Sequence, residues 1–311
     1  MGLLPQSVTL NTPGYLSDHA QAYKKLNGAV IDVVADFGAD NTGATSASAA
    51  IQAAIDEAED NRSGVGVYLP PGTYRSTVML QVTKPGLHIV GAGWNSVLSV
   101  PNSANLAAVI RFVPPGSTRM EGVVVAHLKI DCNGSNQSSG RGIDANGACY
   151  CLFDHVQIRE PWQNGIEIHG DGLGGFGHHN TIRDCWIHRG SASNGGEGRA
   201  VEIYSSDENE LKGNTFEACG TNLSNAAAVR ETASLQQFIG NKWIADPNKA
   251  DVEQLVVAGD CLITGNIFDG GTSSQLRIHG NACSSRAARA ISSRCASPSC
   301  RPRSTRKAMS S

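Results

Sequence analysis

From about Val123 to Ala282 the chain repeats one short apolar pattern, seen as VVAHLKI, CLFDHVQI, NTIRDCWI, NELKGNTF, QFIGNKWI and CLITGNIF. The closing apolar residues are Ile130, Ile158, Ile187, Phe216, Trp243 and Phe268, at steps of 25 to 29 residues. A period of that length marks stacked supersecondary units, each burying its apolar side against the next. In the first unit Ala126, Leu128 and Ile130 alternate with His127 and Lys129, so the rungs are expected to be strands. Two places before each closing residue stand Leu128, Val156, Cys185, Asn214, Asn241 and Asn266. Three asparagines in one column suit the inside of a tight bend, where an amide can bond the rungs above and below it.

A second strand is expected in each coil, in GIDAN, GIEIH, AVEIY, AVRET, QLVVA and QLRIH. Stacking these segments turns Ile143, Ile166, Val201, Val229, Leu255 and Leu276 inward. It turns Asp144, Glu167, Glu202, Arg230, Val256 and Arg277 outward, followed by an outer column of Asn146, His169, Tyr204, Thr232, Ala258 and His279. The pattern therefore predicts an all-β solenoid, a single-stranded parallel β-helix.

Upstream, Ser46 or Ser48 can cap a helix whose apolar face is Ile51, Ala54, Ile55 and Ala58. A helix with one apolar stripe has to cover something, and the open end of a β-helix needs such a cover against edge-to-edge pairing. The run holds DFGA, then AIQAAID, then a strand closing on YLPPGTY, then LHIVGAG. In this it resembles the N-terminal signature of the pectate-lyase-like superfamily of right-handed β-helices. The resemblance, with the repeats, covers about Val30 to Ala282. It implies a right-handed coil capped by an N-terminal α-helix, in a group that includes polysaccharide lyases, glycoside hydrolases, C5-epimerases and phage tailspikes. The YGxDPH motif of alginate epimerases and the NTD and RIK motifs of polygalacturonases are missing, so the resemblance carries no ready mechanism. Within residues 1–29, a lead-in segment, PGYLSDHAQAYKKLNGAV is similar to the collar segments of type GHxxDHNxLxxALN in minor tail and tailspike proteins of actinobacterial phages. That similarity implies a virion tail or extracellular location and a homotrimer.

Composition narrows this picture. Residues 30–282 are long enough for one large solenoid, and residues 283–311 form a Ser-, Arg- and Cys-rich tail expected to be disordered. The chain's net charge is −3, but this tail carries seven Arg or Lys and no acid, leaving the body at about −10. A body so acidic argues against nucleic acid as a partner. No membrane span is apparent, and the start MGLLPQSV lacks the basic and apolar regions of a secretory leader. The nine cysteines include no CxxC pair, which argues against a disulfide framework or a zinc site.

The chemistry is expected on the outward columns. On rungs ~4.8 Å apart, Asp144, Glu167 and Glu202 would form a ladder of like charges. Each ionised pair costs roughly 1 kcal/mol in water and about 3.5 kcal/mol at an effective dielectric near 20. Relief can come from a cation, from Arg141 and Arg230, or from one carboxyl that keeps its proton. Without metal, Glu167 in the middle is the expected general acid, with Asp144 or Glu202 as base or nucleophile and Arg230 and His169 orienting the substrate. With Ca²⁺, Asp144, Glu167 and Glu202 become ligands, and Arg230 or His169 takes a proton in a lyase. Tyr204 and Trp162 are candidate sugar platforms, whereas Trp186 and Trp243 are expected in or near the core. Two Gly-rich loops, ending at Asn180 and before Ala200, are expected to wall the groove. With the resemblance, these residues favour polysaccharide degradation by a lyase or glycoside hydrolase, as a tailspike-like depolymerase of a host surface glycan; the alternatives are a glycan-binding tail module that cuts nothing and a secreted bacterial carbohydrate lyase or epimerase.

Overall fold

The structure is a computed structural model. It describes residues 30–60, 66–116, 118–170, 177–188, 199–219, 235–244 and 261–269, with the backbone alone of 227–229, 255–257, 276–278, 283–286 and 289–290. The lead-in 1–29, residues 171–176 and 189–198 of the two Gly-rich loops, and Arg230 lie outside the described residues.

The chain winds as a right-handed parallel β-helix. Two ten-stranded sheets, here A and B, an eight-stranded sheet C and a short four-stranded sheet D form its faces among the described residues. Every pairing joins equivalent strands of successive coils in parallel. The expectation of two strands per coil is corrected, because each seven- or eight-residue unit is broken near its centre. Val124–Ala126 belongs to sheet A and Lys129–Asp131 to sheet B, with His127 between them at φ 53°. His155 and Asp184 hold the same left-handed conformation at φ 52° and 51°, and Gly213, Gly240 and Gly265 take the place below at 62–66°. One such residue turns the chain through a corner, and Asn, Asp, His and Gly adopt it at least cost.

The asparagine column stands at this corner. Asn214 donates to Asn241 Oδ1 at 2.9 Å, Asn241 donates to Asn266 Oδ1 at 3.0 Å, and Cys185 N donates to Asn214 Oδ1 at 2.9 Å. A second ladder, absent from the sequence reading, enters sheet A: Asn180 donates to Asn209 Oδ1 at 2.9 Å and Asn209 to Gln236 Oε1 at 3.0 Å. Between these corners the closing residues Ile130, Ile158, Ile187, Phe216, Trp243 and Phe268 align in one buried column. Trp243 is core, as expected, but Trp186 lies on the outer face of sheet B. There it stands half-buried, with ring centroids 5.7 Å from Trp94 and 4.8 Å from His188.

The helix Ser48–Asp60 buries Ile51, Ala54, Ile55 and Ala58 against the first coil. Its polar side chains also close the edge of sheet C at Leu80–Val82. Gln52 accepts from Gln81 N at 2.8 Å and donates to Gln81 O at 3.0 Å, so one amide replaces a missing strand. Glu59 accepts from Thr83 N, and Ser48 Oγ accepts from Thr77 N. At the other end Cys283–Arg286 and Arg289–Ala290 pair with the preceding coil, so sheet pairing runs past the Ala282 boundary that the repeat suggests. Cys132, Cys149, Cys151, Cys185 and Cys219 are buried thiols, while Cys261 is disulfide-bonded.

Candidate active site

Sheet C carries the candidate site on Arg141–Asn146, Asn164–His169 and Arg199–Tyr204. Its register sets Asp144 beside Glu167 and Glu167 beside Glu202, with Asn146, His169 and Tyr204 in the next outward column. Arg230 does not follow Glu202 in that column. Ala228 does, because Val229 pairs with Ile203 rather than Val201, and Val256 and Arg277 continue it. The expected register slips by two residues there: a two-residue shift keeps the inside-outside alternation, so the apolar pattern cannot detect it.

A local irregularity supplies the site's counter-charges. Arg141 and Asp144 stand three residues apart, yet both reach the carboxylate ladder, because Gly142 and Ile143 between them both turn inward. A Cβ on Gly142 would meet Ile158 Cγ2 at 2.9 Å, and one on Gly165 would meet Ile187 Cγ2 at 2.7 Å. RGID, NGIE and RAVE thus repeat one device, a polar residue, a small one, an apolar one and an acid. The polar members Arg141, Asn164 and Arg199 fold over the acids.

The resulting network encloses all three carboxylates, which are only 3–4% exposed. Arg111 Nε lies 3.2 Å from Asp144 Oδ2, Arg141 Nε 2.5 Å from Glu167 Oε2, and Arg199 Nη1 3.0 Å from Glu202 Oε2. Asn164 Nδ2 bridges Glu167 and Glu202, and Tyr204 donates its hydroxyl to Glu167 Oε1 at 2.9 Å. Only Arg141 of this basic and amide set was expected. Arg111, Asn164 and Arg199 were missed, although their place before each small-apolar-acid run, or one rung above it, was a usable signal.

His169 and Tyr204 lie outside this layer, ring on ring, with centroids 5.0 Å apart and planes 7° from parallel. His169 Nε2 is 2.7 Å from Asp144 Oδ1 and Nδ1 is 2.9 Å from the Gly170 carbonyl, so both ring nitrogens face acceptors. Burial lowers the His169 pKa, but the Asp144 hydrogen bond and charge, the Gly170 carbonyl and the Glu167 charge outweigh it and hold the pKa above its ordinary value. The same pair works in reverse on Asp144: burial raises it, and His169, Arg111 and Arg141 together bring it below the ordinary carboxylate value. Burial and the Glu167 charge push the Tyr204 hydroxyl above the ordinary phenol range.

Trp162 stands two residues before the Asn164–His169 strand and, partly buried, lines a partly open pocket with Val100, Leu106, Val109, Cys132 and Arg141, and its Nε1 is buried without a bonding partner. In the first Gly-rich loop the Nδ1 atoms of His178 and His179 lie 2.8 Å apart. His179 is left-handed at φ 56°, which swings its ring back beside that of His178. Asp144, Glu167 and His169 each bring one ligand-type atom within 4.8 Å of the others.

Residues 31–243 match the family of rhamnogalacturonase A/epimerase, pectate lyase-like domains. The chain belongs to this family. A search among characterised proteins finds Alginate lyase 7 of Azotobacter vinelandii, 32% identical over 172 residues, which are 50% of this chain and 19% of that protein. Among solved structures, ORF18 of Geobacillus virus E2 aligns at TM-score 0.53 and 17% identity over 89% of this chain and 61% of its own. A family GH82 iota-carrageenase from A. fortis aligns at TM-score 0.56 and 13% identity over 81% of this chain and 58% of its own. The chain therefore spans about a fifth of the length of the alginate lyase and under two thirds of either structure. At such identities the two structures bear on fold alone.

Proposed function

We propose that this chain degrades an acidic polysaccharide by β-elimination at the outer face of sheet C, as part of a virion tail or similar extracellular assembly. The observation that carries this reading is the layering of the site. Three carboxylates with their arginines form a buried, charge-balanced floor, and His169 and Tyr204 stand on it where a sugar ring can reach them. Hydrolysis by a carboxyl pair needs both groups at the glycosidic bond, whereas here each is wrapped by Arg, Asn, His or Tyr.

In the elimination, the C5–H and C4–O bonds of a uronate break and a C4=C5 double bond forms. Tyr204 takes the C5 proton as its own hydroxyl proton passes to Glu167, 2.9 Å away. His169, with protons on both nitrogens, gives one to the departing oxygen. Arg111 and Arg141 face the substrate carboxylate, whose neutralisation makes the C5 proton acidic enough to remove. Asp144 orients His169, and Glu202 fixes Arg199 and Asn164. Because arginines already balance the ladder, Ca²⁺ on Asp144, Glu167 and Glu202 is the lesser alternative, and activity should survive a chelator. The collar-like lead-in supports the tail assignment, with a homotrimer as its assembly.

The test is ultraviolet absorbance of unsaturated uronate over a panel of acidic glycans, with and without chelator. Tyr204→Phe and Glu167→Gln should each reduce the rate at least ~10³-fold, by the loss of a proton-transfer group. New reducing ends without ultraviolet absorbance would make the reaction a hydrolysis. Glycan binding with no product would make the chain a recognition module. Light scattering of the intact chain tests the trimer.

A further inference from the structure

A second cluster of ligand-type side chains stands away from sheet C, at the corner between sheets A and B. The register pairs Ala126 with Asp154, which stacks His127 directly over His155. Backbone bonds fix both corners, His127 N to Asp154 O at 3.0 Å and His155 N to Arg183 O at 3.2 Å. The two imidazoles lie with centroids 5.1 Å apart. Asp154, 7% exposed, places Oδ1 2.7 Å from His155 Nδ1, while its Oδ2 is held by Arg183 Nη2 at 2.9 Å. One nitrogen or oxygen from each of His127, Asp154 and His155 lies within 4.8 Å of the other two.

We propose that His127, Asp154 and His155 bind a divalent transition metal of the zinc class, which clamps two successive coils at this corner. Two imidazoles and one carboxylate make a donor set for Zn²⁺, Co²⁺ or Ni²⁺, whereas Ca²⁺ prefers an all-oxygen shell. Ligand atoms about 2.1 Å from a tetrahedral zinc stand roughly 3.4 Å from each other, so the Asp154–His155 pair, 2.7 Å apart, has to open by about 0.7 Å while His127 closes on it from within 4.8 Å. His127 is exposed and can supply that movement by turning its ring. The metal takes the place of the proton between His155 Nδ1 and Asp154 Oδ1. Arg183 stays on Oδ2 as the outer partner that keeps the carboxylate in place. The fourth position faces solvent and takes water.

The site is independent of the proposed catalytic face, and the experiment separates the two. The intact chain, stripped with chelator, is titrated with Zn²⁺ by calorimetry and with Co²⁺ by visible absorption, alongside His127→Asn, His155→Asn and Glu167→Gln. Asn keeps the left-handed corner accessible, so the first two variants retain the coil, which circular dichroism verifies. The expected result is one Zn²⁺ per chain in the parent and in Glu167→Gln, binding at least tenfold weaker in each histidine variant, and a Co²⁺ spectrum without thiolate charge transfer. The unfolding temperature should rise with Zn²⁺ in the parent and not in the histidine variants. Absence of saturable binding in the parent overturns the proposal. So does binding unaltered in both histidine variants, binding lost in Glu167→Gln, or a Co²⁺ thiolate band.

Discussion

His169 and Asp144 show how one contact moves two titrations in opposite directions. The His169 pKa is raised, so the stability it adds is complete below the ordinary histidine value of 6.5 and is lost as pH rises through the raised value. The Asp144 pKa is lowered, so its contribution is complete above the ordinary value of 3.8 and is lost as pH falls through the lowered one. Between those two ordinary values both contributions are whole. Denaturant midpoints measured from pH 5 upward should fall as His169 loses its proton, and His169→Asn should flatten that fall. Glu167 is surrounded by donors from Arg141, Asn164 and Tyr204. In Glu167→Gln the amide must turn its NH₂ against one of them and leaves Arg141 without its nearest counter-charge. A loss of about 3 kcal/mol in unfolding free energy is expected, measurable in urea.

At the level of elements, corners rather than strands give each coil its shape. Asn241 accepts from Asn214 N and Nδ2 and donates to Leu211 O and Asn266 Oδ1, all between 2.8 and 3.0 Å and buried. Asn241→Ala leaves several of those groups buried without partners, and a cost of about 3 kcal/mol is expected by denaturant unfolding. Gly165 is a different constraint. A Cβ there would meet the Ala200 carbonyl oxygen at 2.6 Å, against rigid backbone. Gly165→Ala should therefore push the Asn164–His169 strand away from its neighbour, lowering activity more than Ala200→Gly does in the same assay.

For the whole molecule, the weak points of a solenoid are its ends. The helix covers one of them with an apolar face and with side chains that imitate a strand edge. Ile55→Ala removes a fully buried side chain at this junction, and about 3 kcal/mol of stability should go with it in equilibrium unfolding. Among the described residues no helix is long and apolar enough to cross a membrane.

The repeat, its inward columns, the asparagine ladder and the apolar face of the capping helix could all be read from the chain. Each depends on periodic burial, which a sequence displays as spacing. The stacking of Asp144, Glu167 and Glu202 followed for the same reason, since parallel strands in one register inherit the order of their sequences. Other features depend on backbone angles and on loop lengths between coils. A left-handed residue at His127 made one apparent strand into two. Two successive inward positions, Gly142 and Ile143, brought Arg141 onto the face of Asp144, and Ala228 took the place expected for Arg230. Spacing records which side a residue faces. It does not record where the chain bends or by how many residues a coil slips, so the acids were visible beforehand while most of the cations that neutralise them came into view only in the folded chain.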